Sequence, residues 1–168
     1  MKRFLCIILS AALLMCPLSG CGKKDGGSAN ASQASDALTE DENDTMHLNM
    51  LFSLIGTPDT GVTELLGDGE KQKYNADGSL KQRTFSGIVY RTEITFTVFY
   101  DEFGDVSSID VDFPASLSQD QLSATVTNLI GRQPAEDGTW QAETAVISLV
   151  HKDDHMCMTL VPYADTAE

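Results

Sequence analysis

The densest run of chemically capable side chains is His151-Lys152-Asp153-Asp154-His155-Met156-Cys157. Imidazole, carboxylate and thiolate all ligate transition metals, and a Cys–His pair can activate a thiol nucleophile. Side chains alternate along a strand, so His155 and Cys157 share one face. His151 lies across an Asp153-Asp154 turn, in a register that sets it opposite Met156. The run therefore splits between two faces, and a solvated hairpin tip describes it better than a metal centre or a catalytic pair. A second set, Asp101, Glu102, Asp105, Asp110 and Asp112, lacks the alternating ligands and closing Glu of an EF-hand loop. The weak metal candidates are Asp101, Asp105, His151 and His155; a wet, solubilising face is the better reading of the acids. There is no G-x-S-x-G, H-E-x-x-H, Walker-type or G-x-G-x-x-G motif, and Gly67-Asp68-Gly69 has no phosphate-binding lysine at the right spacing. With 25 acidic residues, carboxylate pairs are easily drawn, and none is singled out without a cleft. The expectation is no catalytic residue, no cofactor and no enzyme.

The charge balance limits partners. Among 168 residues, Lys and Arg number 11 against 25 Asp and Glu, for a net charge of -14. Lys2 and Arg3 are the only charges in the first twenty residues, so the remainder carries -16. Such a surface repels phosphate backbones and anionic headgroups, which argues against nucleic acid and against direct adsorption to lipid. Hydrophobic residues at 42% still provide for a packed core.

The N-terminus reads as a processing signal. Lys2 and Arg3 precede an apolar run from Phe4 to Met15, shorter than the ~20 residues of a spanning helix. Leu18-Ser19-Gly20-Cys21 follows, and it resembles the lipobox of bacterial lipoproteins. The resemblance implies a diacylglycerol thioether on Cys21, cleavage before it, and a mature chain of 148 residues from the original 168. Acyl chains on one residue give lasting attachment, because each buried methylene contributes about 0.8 kcal/mol. Gly22, not Asp, follows the cysteine, which permits outward sorting in a host with an outer membrane. The expected location is the extracytoplasmic face of the cell membrane, or the outer membrane. Cys6 and Cys16 leave with the signal, so Cys157 remains alone, read as a small buried hydrophobe rather than a nucleophile.

Residues 21–45 are rich in Gly, Ser, Ala and Asn and contain one large aliphatic residue, Leu38. They are read as a tether, extended by repulsion within Glu40-Asp41-Glu42-Asn43-Asp44. Residues 46–163 form the expected domain, and 164–168 a tail. A first short helix falls over His47–Ile55, ended by Gly56-Thr57-Pro58. Asp59 or Thr60 caps a second, carrying Val62, Leu65 and Leu66 and stopped by Gly67. Asp77-Gly78 fits a hairpin turn. Strand patterns run from Arg83 through Tyr90, with Gly87 read as a bend or bulge. Further strands follow over Ile94–Tyr100, and over Ile109–Phe113 with Asp110 and Asp112 on a wet face. Ser118 and Gln121 form a capping box ahead of a helix bearing Leu122, Val126, Leu129 and Ile130. Trp140–Val150 and Met156–Val161 read as the arms of a last hairpin.

The expected class is α+β: an antiparallel sheet packed against two or three short helices. A Gly-ended helix followed by strands occurs twice, at Thr63–Gly67 and Thr127–Gly131, compatible with a duplication or with chance recurrence. This order, over roughly Leu51 to Tyr163, resembles the small modules of β-lactamase-inhibitor proteins and of the BamE (SmpA) lipoproteins of outer-membrane assembly. BamE-like proteins are single short modules, and no family residue maps onto a numbered position here. The resemblance implies a lipid-anchored domain that binds or scaffolds through a sheet face, towards another envelope or extracellular protein. Tyr90, Phe99, Phe103 and Trp140 are the candidate binding surface, since rigid aromatics dominate hot spots; each also fits a core, Trp140 above all. Two alternatives stand beside this reading: recognition of a small cationic solute or peptide, and inhibition of a secreted enzyme.

Overall fold

The computed structural model describes residues 37–163; the signal segment, Cys21 and residues 164–168 lie outside them. Among the described residues there are three helices, α1 (Leu48–Phe52), α2 (Asp59–Leu66) and α3 (Gln119–Ile130). The strands are β1 (Lys71–Tyr74), β2 (Leu80–Val89), β3 (Thr92–Tyr100), β4 (Val106–Phe113), β5 (Trp140–Gln141), β6 (Ala145–Lys152) and β7 (His155–Pro162). They make one antiparallel sheet in the order β1-β2-β3-β4-β7-β6-β5. The α+β class holds. The helix-plus-meander order occurs twice, and β4 and β7, the last strands of the two meanders, join them at the middle of the sheet.

One sheet face is apolar because the alternation in β2, β3, β4, β6 and β7 points the same way, whereas β1 is exposed throughout. Phe85, Phe96, Val111, Met158 and Leu149 align across five strands, and Val98, Ile109, Leu160, Ile147 and Trp140 form the next row. Leu48, Leu51, Val62, Leu122 and Val126 from the helices complete this core and are at most 1% exposed. Each such side chain contributes about 1.5–3 kcal/mol, so packing carries a domain whose described cysteine is unbridged. No helix among the described residues is long and apolar enough to cross a membrane.

Local chemistry follows the sequence closely at α3. Gln121 N–H donates to Ser118 Oγ at 3.2 Å, Ser118 N–H donates to Gln121 Oε1 at 3.1 Å, and Gly131 closes the helix at φ 72°. The final hairpin turns at Asp153-Asp154 with Ile147 opposite Leu160, Leu149 opposite Met158 and His151 opposite Met156, as the pattern predicts.

Several expectations change. Asp59 does not cap α2: Pro58 occupies that position without a side-chain bond, and the Asp59 carboxylate instead takes a forked pair from Arg83. Tyr90 is not in a strand. Tyr90 and Arg91, at φ 53° and 61°, are the two central residues of the β2–β3 turn, a left-handed pair that joins twisted strands tightly. Gly87 makes no bulge. Its register with Ile94 is regular, and the missing side chain leaves room for Met46, whose Sδ lies 2.6 Å from where a Cβ would stand. The Trp140–Val150 arm is broken: Ala142 N–H donates to Ala145 O at 2.8 Å, and β5 folds back on β6.

The boundary at residue 45 also moves. Leu38 packs on the core and its N–H donates to Thr125 Oγ1 at 2.9 Å. Arg91 reaches Asp41 Oδ2 at 2.6 Å through Nε, and its N–H donates to Asp44 Oδ1 at 2.7 Å. Thr45 and Ile88 exchange bonds of 2.9 and 2.8 Å. The acids expected to repel one another are held by one guanidinium and by backbone N–H groups, so residues 38–45 strap the end of the β2–β3 hairpin.

Candidate binding site on the open sheet face

The face opposite the helices is assembled from the other half of each alternation. Its centre is polar: Thr95 and Thr97 on β3, Asp110 and Asp112 on β4, Cys157 and Thr159 on β7, Ser148 on β6. Lys152 arches over β7, and its Nζ donates to Asp110 Oδ2 at 3.0 Å and sits 3.9 Å from Asp112 Oδ1. Thr159 Oγ1 donates to Asp110 Oδ1 at 2.9 Å. The carboxylate of Asp110, followed by the Cys157 thiol, holds Lys152 protonated well above the usual lysine range. Around this band lie Phe99, Val146, Val150 and Val161, half-buried or exposed.

Cys157 is fully buried beneath that cover, and desolvation pushes its thiol up despite Lys152 nearby. A thiol held protonated is a poor nucleophile and a poor ligand. His155 lies between two carboxylates, with Nδ1 3.1 Å from Asp154 Oδ1 and Nε2 3.3 Å from Asp112 Oδ1. Asp154 first, then Asp112, raises its pKa above the ordinary imidazole value.

A groove of about 950 Å³ opens at the end of this face nearest the strap. Its walls are the β2–β3 hairpin end (Ser86, Ile88, Glu93, Thr95) and the exit of β4 with the β6–β7 turn (Asp112, Pro114, Ala115, Asp154, His155); Thr45 of the strap closes one end. The groove exists because two ladders end at different points. β2 and β3 stay paired to Val89 and Thr92, whereas β3 and β4 part beyond Thr95 and Asp112. Pro114 follows β4 directly and has no N–H with which to extend the ladder.

The four aromatics expected to form one surface are not together. Phe99 is half-buried on the open face. Phe103 is 81% exposed at the tip of the β3–β4 turn, at the opposite end of the sheet from the groove. Tyr90 is buried in its turn, where burial pushes its hydroxyl up to about 12. Trp140 is a core residue whose indole N–H donates to Thr127 Oγ1 at 3.0 Å. Both buried rings sit where apolar area outweighs a surface role.

The weak metal candidates also separate. Asp101 Oδ1 accepts the N–H groups of Phe103 and Asp105 at 2.9 and 3.0 Å, clamping its own turn. His151 is exposed at the end of the core-facing row, and His155 belongs to the other face, as the split of that run predicts. Among the described residues no group of three His, Cys, Asp or Glu is arranged to hold a metal. Cys21 lies outside the described residues. Sequence reasoning missed the groove and the Lys152–Asp110–Thr159 bridge, because both depend on the β4–β7 pairing, which joins strands more than forty residues apart. Comparison of the chain with protein-family models, curated proteins and solved structures finds no match.

Proposed function

We propose that the chain is a lipid-anchored, extracytoplasmic lipoprotein held through Cys21, and that its domain is a protein-binding or scaffold module of the cell envelope. The observation that carries the binding role is the open face itself. Among the described residues the helices cover one side of the sheet, and the other side offers a rigid, half-polar platform with its own groove. Its side chains are pinned by the sheet and by the Lys152 bridge, so little conformational entropy is lost when a partner docks. The buried thiol of Cys157 and the doubly engaged His155 support a non-enzymatic role.

The test is capture of envelope and secreted proteins of the source organism on the full chain in detergent, beside a Ser148→Arg variant. Ser148 is half-buried at the centre of the platform, opposite Thr159. A stoichiometric partner that survives a high-salt wash and is lost from the variant is the expected result. Equal retention by both proteins, or loss in salt alone, overturns the open face as the recognition surface. Labelling with radioactive palmitate, abolished by Cys21→Ser, is expected for the anchor.

A second reading, recognition of a small cationic solute or peptide, draws support from the acidic lining of the groove.

A further inference from the structure

We infer that the groove at the strap end of the open face receives an extended polypeptide segment bearing a lysine or arginine side chain. The inference rests on the open face being the recognition surface, and it names the chemistry of what that surface takes. Two independent features of the groove agree on this occupant.

The first is backbone. Thr92–Ile94 of β3 pair with β2 on one side, but β4 has already turned away at Pro114 on the other. Ile88 turns its N–H and C=O outward to Thr45, so Thr92 and Ile94 are the residues that bond to β2. The backbone of Glu93 is thus left open to a further chain inside a concavity, where an added segment is sheltered and aligned. A compact solute would leave this edge unused, whereas an extended chain satisfies it.

The second is charge. Glu93, Asp112 and Asp154 line the same space, and the basic group among the lining residues is His155, already shared between Asp112 and Asp154. Lys152 is committed to Asp110. Glu93 is exposed on the hairpin wall and is itself the open strand position. A chain laid along Thr92–Ile94 brings its side chains alternately towards and away from this wall. An ammonium or guanidinium reaching Glu93 also keeps its methylene stem against Ile88, Pro114 and Ala115, which suits a charge on an apolar stalk. An acidic side chain in the same place meets three carboxylates.

The experiment is titration of the full chain in detergent, followed by amide chemical shifts, with an acetylated, amidated Val-Thr-Lys-Val-Thr peptide. A counterpart with norleucine for the lysine runs in parallel. The expected result is saturable shifts confined to Ser86, Glu93, Ile94, Thr95 and Ala115, with Kd about tenfold weaker for the norleucine peptide, equivalent to about 1.4 kcal/mol. Glu93→Gln should weaken the lysine peptide several-fold and leave the norleucine peptide unchanged. Glu93 is exposed, so this variant keeps the fold. Equal binding of the two peptides overturns the charge recognition. Shifts that do not saturate, or that also appear at Asp101–Asp105, overturn the site and leave general acidic attraction. Loss of the partner from Ser148→Arg together with no peptide binding refutes the groove alone. Peptide binding together with partner retention by Ser148→Arg refutes the wider platform alone.

Discussion

Arg83 is buried on the core face, an unusual place for a cation, and it is held there by geometry. Nε and Nη2 donate to the two oxygens of Asp59 at 2.7 and 2.8 Å, and Nη1 donates to Asp68 O at 2.8 Å. The guanidinium holds the Asp59 carboxyl below its ordinary 3.8. A lowered folded-state pKa means that the pair's stabilisation is present above the ordinary value and is lost as pH falls through the folded one. Asp59→Asn leaves the buried charge half-satisfied and is expected to cost about 3 kcal/mol in urea unfolding at neutral pH, with little cost remaining in strong acid. His155 runs the other way. Its raised pKa stabilises the protonated form, so the contribution is full below about 6.5 and disappears as pH rises through the higher folded value. Chemical-shift titration should place His155 above the ordinary imidazole value, and His155→Gln should flatten the fall in stability between mildly acidic and mildly basic pH.

At the scale of elements, the most legible parts were those whose determinants are local. The capping box of α3, the glycine stops and the Asp153-Asp154 hairpin with its register are all written within a few residues. What stayed hidden depends on residues far apart. Tyr90 and Arg91 carry no turn signature, since neither is Gly, Asn or Asp, yet both adopt left-handed backbone. Their compensation is the strap, which buries Tyr90 and gives Arg91 two carboxylates. The acidic run from Glu40 to Asp44 looked like a self-repelling tether because its cation lies nearly fifty residues on. Arg91→Gly should relieve the backbone strain while releasing Asp41 from its guanidinium. Hydrogen exchange at residues 41–45 is then expected to accelerate while the β2–β3 ladder keeps its protection. Equal protection in the variant would mean that the strap is held by Leu38 and Thr45 instead.

At the scale of the whole molecule, the two meanders meet only through β4 and β7 within the sheet, but a single apolar layer runs across both. Ile109, Val111, Met158 and Leu160 sit on that seam and are completely buried. Loss of either half would expose this row, so unfolding is expected to be cooperative. Trp140, the one tryptophan, reports on the β5–α3 end, and far-UV circular dichroism reports on all strands. Their urea transitions should coincide; an early fluorescence change would reveal a second meander that melts alone.

The outer strands of the sheet have a further consequence. β5 has two residues, and β1 is exposed along its length with lysines at 71 and 73. A short rim and a positively charged one both resist fusion with another sheet. Molecules tethered to a surface meet one another far more often than molecules free in solution, and the crowding would reward any tendency to polymerise edge to edge. Under the proposed lipid anchor, such rims would limit fusion between crowded domains and leave each platform presented singly.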